Sequence, residues 1–251
     1  MRLDQFLTEN GYAETRTKAK NLIESGSVNV NGRLIMKPAF DVSDADEIIC
    51  RTDLICPYVS RGGLKLEGAL REFGIDVTGA ICLDIGASSG GFTDCLLKHG
   101  ASKVFAVDSG SGQLHKSLQG DSRVISLENV NARYLSEKEI PEKADITVMD
   151  VSFISQTKLY PAIIPLMKEN GIFISLIKPQ FEVGRSGVGK GGIVRDEKKR
   201  REAVENVIAV ASSFGLKNIK TVLSPIKGGD GNTEFLAYFA LSGERSHEIE
   251  N

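Results

Sequence analysis

The stretch Ile81-Cys82-Leu83-Asp84-Ile85-Gly86-Ala87-Ser88-Ser89-Gly90-Gly91 decides the fold. An apolar run carrying one acid gives way to a Gly/Ser turn, and a helical pattern opens near Phe92. This reads as strand, tight turn, helix. Glycines let a backbone approach a ligand closely, and a helix start offers unpaired N–H groups. The same alternation continues outward: strand candidates lie at 80–85, 103–107, 124–127, 145–150, 171–178, 219–225 and 234–241. The clearest helical stretches between them are 92–99, 157–168 and 196–214. Such alternation argues for an α/β fold, a parallel sheet with helices on both faces. The last two strands are joined by Lys227–Thr233, too short for a crossover helix, so the final strand should run antiparallel.

Upstream, the first fifty residues read as a separate small unit. Leu3, Phe6 and Leu7 have the spacing of a short amphipathic helix. Thr15 is placed to cap a second helix that buries Ala19, Leu22 and Ile23 and ends at Gly26. Val28-Asn29-Val30, the pair Asn31-Gly32 and Arg33-Leu34-Ile35 spell a hairpin, and Ile48-Ile49-Cys50 a further strand. The expected organisation is a small α+β domain over 1–50, a connector over 51–60 and the large domain over 61–251.

Composition narrows the functional classes. The chain has 251 residues, is 41% hydrophobic and 25% charged, and carries a net charge of −2, so nucleic-acid binding would have to rest on local patches. Cys50, Cys56, Cys82 and Cys95 match no zinc or thiol-redox spacing and read as reduced thiols of a cytoplasmic protein. No apolar run reaches membrane-spanning length and no leader pattern opens the chain; no metal and no membrane partner are expected.

The 81–91 turn departs from the dinucleotide pattern, because Ser88 stands where the middle glycine should be. Asp84, at the strand end, is suited to attract the amino group of a methionine moiety, and Asp108, ending the next strand, a ribose diol. Asn129 and Asn131 follow the third strand, where an adenine would lie. With Gly86, Ser88, Gly90, Gly91 and Phe92, these residues form a candidate site for S-adenosylmethionine.

Four further charges map to the same sheet edge. Asp150 ends the fourth strand, Lys178 the fifth, Glu234 begins the reversed last strand, and Lys65 lies just before the domain proper. Open α/β sheets bind ligands at this edge. Two lysines and two carboxylates suit methyl transfer to a hydroxyl, which needs its proton removed as the bond forms. A lysine with a pKa lowered by its surroundings can take that proton; Lys178 is the candidate base, Lys65 positions the hydroxyl, and Asp150 and Glu234 orient the lysines.

Several motifs carry a resemblance: Tyr58-Val59-Ser60-Arg61-Gly62-Gly63-Leu64-Lys65, Asp84–Gly91, Asp150-Val151-Ser152-Phe153-Ile154-Ser155, Lys178-Pro179-Gln180-Phe181-Glu182, Gly191–Asp196 and Ser224–Gly228. Together they resemble the TlyA family of ribosomal RNA 2′-O-methyltransferases. The resemblance implies a Rossmann-like class I methyltransferase domain of FtsJ type with a Lys-Asp-Lys-Glu tetrad, falling on Lys65, Asp150, Lys178 and Glu234. It also implies cytidine riboses of ribosomal RNA as substrate, presented as RNA or as a ribosomal subunit. The short ends of the chain resemble the subtype that modifies the large subunit only.

Residues 1–50 resemble the small RNA-binding fold of a small-subunit ribosomal protein, the S-four-like domain. Arg2, Arg16, Lys18, Lys20 and Arg33 are its candidate phosphate contacts, with Arg61, Arg185 and Lys190 in the large domain. Gly184–Lys190 nearly spells a nucleotide-binding P-loop, but Gly191 replaces the Ser/Thr that would hold magnesium, so a loop beside the substrate is the expectation. Base methylation and haemolysis are the rival activities. Cys56 precedes Pro57 rather than following a proline, Asp150-Val151-Ser152-Phe153 is not an amino-methylation motif, and barrel-forming strands are absent from the pattern.

Overall fold

A computed structural model of the chain describes residues 1–13, 15–24, 26–50, 56–184 and 187–242. The chain divides into two units, Met1–Pro57 and Tyr58–Asn251, each with its own hydrophobic core.

In the smaller unit, helices α1 (Leu3–Glu9) and α2 (Arg16–Glu24) bury Leu3, Phe6 and Leu7 against Ala19 and Ile23. Thr15 Oγ1 accepts the Lys18 N–H at 3.2 Å, capping α2 as expected. At its other end Gly26 N–H donates to Ile23 O and Ser27 N–H to Leu22 O, the Schellman pattern that a glycine at φ +78° permits. Strands β1 (Val28–Val30) and β2 (Arg33–Leu34) form a two-residue hairpin. Asn31 and Gly32 have φ of 51° and 75°, the two left-handed residues a type I′ turn requires. Strand β3 (Ile48–Cys50) pairs antiparallel with β1, giving the order β2-β1-β3.

The larger unit opens with α3 (Gly62–Phe73) and then alternates β4 (Ile81–Ile85), α4 (Gly91–Lys98), β5 (Lys103–Val107), α5 (Lys116–Gln119), β6 (Val124–Leu127) and β7 (Ala144–Met149). It continues through α6 (Tyr160–Ile163), β8 (Met167–Ile177), α7 (Pro179–Glu182), α8 (Glu197–Ser213), β9 (Leu216–Leu223) and β10 (Phe235–Leu241). The seven strands order as β6-β5-β4-β7-β8-β10-β9, with β10 antiparallel to both neighbours and β4 to β8 parallel. Chain order runs outward from β4 through β5 to β6, then returns to β7 on the other side of β4. The reversal opens a crevice above the β4 and β7 ends, where open α/β sheets take their ligands.

One expected element is different. The helix anticipated over 157–168 is a single turn, α6, between 3₁₀ turns at Gln156–Leu159 and Ile164–Leu166, and β8 begins at Met167. The helical turns nevertheless run unbroken from Gln156 to Leu166; Pro161 and Pro165 each sit at the first positions of a turn, where a missing N–H is tolerated, and the run is split into 3₁₀, α and 3₁₀ segments. The bounds of two strands also differ from expectation: β8 starts at Met167 rather than 171, and β9 runs Leu216–Leu223 rather than 219–225, leaving Ser224 and Pro225 to the loop.

Candidate active site

Residues just beyond three adjacent strands meet above the carboxyl edge of the sheet. Asp150 follows β7, Lys178 follows β8, and Glu234 precedes β10, whose Phe235 pairs with Ile177 so that Glu234 falls beside Lys178. Lys65 comes in from the first turn of α3, and its Nζ lies 2.6 Å from Glu234 Oε2. Both are buried, at 8% and 3% exposure. Lys178 Nζ stands 2.5 Å from Asp150 Oδ1, outside hydrogen-bonding angles, and donates to Ser152 Oγ at 2.9 Å. Two lysine–carboxylate pairs therefore occupy one edge. They differ in depth: removing one partner of a buried pair typically costs about 3–5 kcal/mol, so Lys65 and Glu234 carry structure, whereas the Lys178–Asp150 pair is more open.

Close approach of the backbone makes this meeting possible. Gly86, at φ +85°, turns the chain off β4 so tightly that a Cβ there would lie 2.5 Å from Asp150 O. Gly91 starts α4 against the start of α3, where a Cβ would meet Ser60 Oγ at 2.3 Å and Gly63 N at 3.0 Å. The glycines of the 81–91 turn thus seat the strand ends and α3, which carries Lys65, against one another.

At the β4 end, Asp84 is fully buried. Thr93 Oγ1 donates to its Oδ2 at 2.6 Å, while Oδ1 has no partner among the described residues. Burial, with Asp150 and Asp108 adding repulsion, pushes its carboxyl up to about 7. An unsatisfied buried carboxylate oxygen at a ligand crevice is what a ligand ammonium would complete. Asp108 has a structural task as well: Ser88 N–H donates to Oδ2 at 2.8 Å and Gly110 N–H to Oδ1 at 2.7 Å, clamping the turn after β4 to the turn after β5. Phe92 is buried and contributes the backbone of the α4 start rather than an exposed ring. Asn129 holds a left-handed φ of 58°, and the Asn131 side chain accepts Arg133 N–H at 3.1 Å, capping a 3₁₀ turn.

Three residues of the site were given no role by the sequence, although two of them, Phe153 and Glu182, lie in the motifs that carry the resemblance. Glu128, beyond β6, accepts the N–H groups of Gly112, Gln113 and Leu114 and fixes the loop after β5. Glu182, ending α7, accepts Ser155 Oγ at 2.6 Å and Gln156 N–H at 3.0 Å, and burial raises its pKa. It joins the loop that follows Asp150 to the turn that follows Lys178. On that loop Phe153 is 92% exposed, holds a φ of 64°, and tilts against Phe181 with ring centroids 5.3 Å apart. A phenylalanine in left-handed backbone and in water is doubly disfavoured. Acids that accept backbone amides, and an aromatic whose backbone is strained, leave no spacing signature in the sequence.

The candidate RNA contacts are gathered only in part. Arg2 and Arg16 converge on Asp4, at 2.9 and 3.2 Å, and hold its carboxyl at about 2. Lys20 sits 3.8 Å from Glu24 on the exposed face that also carries Lys18, and Arg33 stands exposed after the hairpin turn. Arg61 is exposed just before α3 and Lys190 on the loop before α8, while Arg185 lies outside the described residues. Behind the P-loop look-alike only a 3₁₀ turn, Lys190–Gly192, is found among the described residues before α8, which begins at Glu197, capped by Asp196. The four cysteines are free, and burial pushes Cys82 and Cys95 up to about 12. Among the described residues no helix is long and apolar enough to cross a membrane.

Comparison with known proteins agrees with this architecture. The FtsJ-like methyltransferase model matches residues 58–241 and the S4 domain model residues 1–48. The chain is 46% identical over 245 residues to a protein named Hemolysin A from Brachyspira hyodysenteriae, covering 96% of this chain and all of that one. It is 41% identical over 245 residues to the 16S/23S rRNA (cytidine-2′-O)-methyltransferase TlyA of Mycobacterium tuberculosis, covering 98% and 91%. To the 23S rRNA (cytidine-2′-O)-methyltransferase TlyA of Campylobacter jejuni it is 36% identical over 258 residues, covering 95% and 99%. With near-complete coverage of these relatives and a matched catalytic domain, the chain belongs to the FtsJ-like methyltransferase family and carries an S4 domain ahead of it.

Proposed function

We propose that the protein transfers a methyl group from S-adenosylmethionine to the ribose 2′-hydroxyl of cytidine in ribosomal RNA of the large subunit, in the cytoplasm. The observation that carries this reading is the pair of lysine–carboxylate contacts beside the unsatisfied Asp84 oxygen. Asp84 would hold the amino group of the methionine moiety, and Asp108, whose oxygens each keep a lone pair, the ribose diol. Gly86, Ser88, Gly90, Gly91 and Phe92 would line the donor with backbone, and Asn129 and Asn131 would border its adenine. When bound, the donor supplies an electrophilic methyl carbon.

The chain's own residues account for the acceptor side. Lys178, oriented by Asp150 and Ser152, would take the hydroxyl proton at Nζ as the new bond forms. Lys65, fixed by Glu234, would hold the hydroxyl oxygen in line. Phe153, next to Ser152, and Phe181, three residues after Lys178, would offer a face on which an unstacked base can rest. Arg2, Arg16, Lys18, Lys20, Arg33, Arg61, Arg185 and Lys190 would grip phosphates.

Lys178→Ala tests the reading, because this lysine is the less deeply structural of the two. The expected result is loss of ribose methylation, mapped on large-subunit RNA, with S-adenosylmethionine affinity within about twofold of the parent. Full activity in that variant would sink the mechanism. Lysis of red cells by purified protein that incorporates no methyl groups would instead favour the activity named for the Brachyspira relative.

A further inference from the structure

The first turns of α8 carry a cluster of cations that the tetrad does not use: Lys198, Lys199, Arg200 and Arg201, with Arg195 just ahead. Four consecutive residues step about 100° apart around a helix, so these form a collar rather than a stripe. The positive end of the helix dipole is the least favourable place for cations. Local acids offset only part of the charge. Asp196 is engaged as the N-cap of Lys198 and Lys199, and Lys198 Nζ lies 3.9 Å from Glu202. Arg200 Nη1 donates to Val194 O at 3.2 Å. Arg195, Lys199 and Arg201 have no acidic partner among the described residues.

Topology brings the collar to the catalytic edge. Helix α8 is the crossover between β8 and β9, which run parallel to each other, so it starts above the carboxyl ends of the strands, and it packs against α7 directly after Lys178. The segment leading into it is fastened to the loop that carries Glu234. Buried Asn232 accepts Val194 N–H at 3.0 Å and donates to Gly192 O at 2.9 Å, two residues before Glu234. The cations are therefore held in a fixed relation to the reacting edge.

We propose that the α8 collar, through Arg195, Lys199 and Arg201, is a binding surface for the phosphodiester backbone of the RNA beside the methylated nucleotide. This rests on the reading of the protein as an RNA methyltransferase. A row of phosphates complements a collar of cations at a helix start, and no base-specific group is needed there.

The test is the full chain with Arg195→Gln, Lys199→Gln and Arg201→Gln combined, against an in vitro transcript of large-subunit ribosomal RNA. Each lost phosphate contact flattens the dependence of log affinity on log salt by about 0.7–0.9, so the triple variant should lose roughly two units of slope. RNA affinity at low salt should fall at least about tenfold, and the loss of methylation should appear in KM for RNA rather than in donor affinity. Melting temperature should hold or rise, since cations leave a helix start. Unchanged affinity and slope would overturn the proposal, as would a weakening that tracks a lower melting temperature. If the parent binds RNA through the collar but methylates none, the functional reading fails while the surface stands.

Discussion

Asp84 shows how a single residue can be set against the stability of its own fold. Its carboxyl is raised from the ordinary aspartate value of 3.8 to about 7, so the folded protein prefers it neutral. A raised carboxyl contributes stability that is present below the unfolded value and is lost as pH climbs through the folded one. Three units at about 1.4 kcal/mol each set an upper bound of roughly 4 kcal/mol withdrawn between pH 4 and 7. Asp84→Asn should therefore melt higher than the parent at pH 8, with the Thr93 hydrogen bond retained. The same variant should lose at least about tenfold in S-adenosylmethionine affinity. In the parent, calorimetry should find binding that tightens from pH 6 to 8, because an ammonium pairs only with the ionised acid. An affinity independent of pH in that range would remove Asp84 from the donor site.

At the scale of elements, the loop after β7 and the turn after β8 act as one part because Glu182 ties them. The strained Phe153, Ser152 on Lys178 and Asp150 beside Lys178 all depend on that loop. Glu182→Ala would leave the Gln156 N–H without its acceptor, at a cost of about 1–3 kcal/mol. We expect kcat for methyl transfer to fall about tenfold or more, donor affinity to stay within about twofold, and Glu182→Gln, which keeps one acceptor, to lie between. An unaltered kcat in Glu182→Ala would show the tie to be idle. The tie itself was not legible in the sequence, because it joins Glu182 to a hydroxyl 27 residues away and a backbone amide 26 residues away. The inner strands were legible as short apolar runs, whereas the polar starts of β8 (Met167–Asn170) and β9 (Leu216–Asn218) hid the first residues of those strands. The places of Asp150, Lys178 and Glu234 at strand ends followed from counting, while Lys65 was picked from the motif that opens α3. The stretch 157–168 was legible as helical from its apolar spacing; what the spacing did not give was its division into 3₁₀, α and 3₁₀ turns and its end at Leu166, where β8 takes over.

For the whole molecule, the division of labour between the two units follows from their separate cores. The core of the larger unit is built from Leu83, Ile85, Phe105, Met149, Phe173, Phe239 and their neighbours and includes no residue of the first 57. The residues proposed for the donor and the proposed tetrad Lys65, Asp150, Lys178 and Glu234 all lie in that unit. The chain as a whole is net negative, so RNA affinity has to come from local cations. In the smaller unit those cations are a local patch partly offset by acids: Arg2 and Arg16 share Asp4, Asp41 lies near Arg2, and Lys20 faces Glu24 on the face that carries Lys18. Removing residues 1–57 should therefore weaken RNA binding at least about tenfold and flatten its salt dependence, while S-adenosylmethionine affinity stays within about twofold. Filter binding across a salt series and calorimetry on the same protein check the two halves. Equal loss of both ligands would mean that the S4 domain supports the fold of its neighbour rather than holding the RNA, and equal retention of both would leave the RNA to the cations of the methyltransferase unit alone.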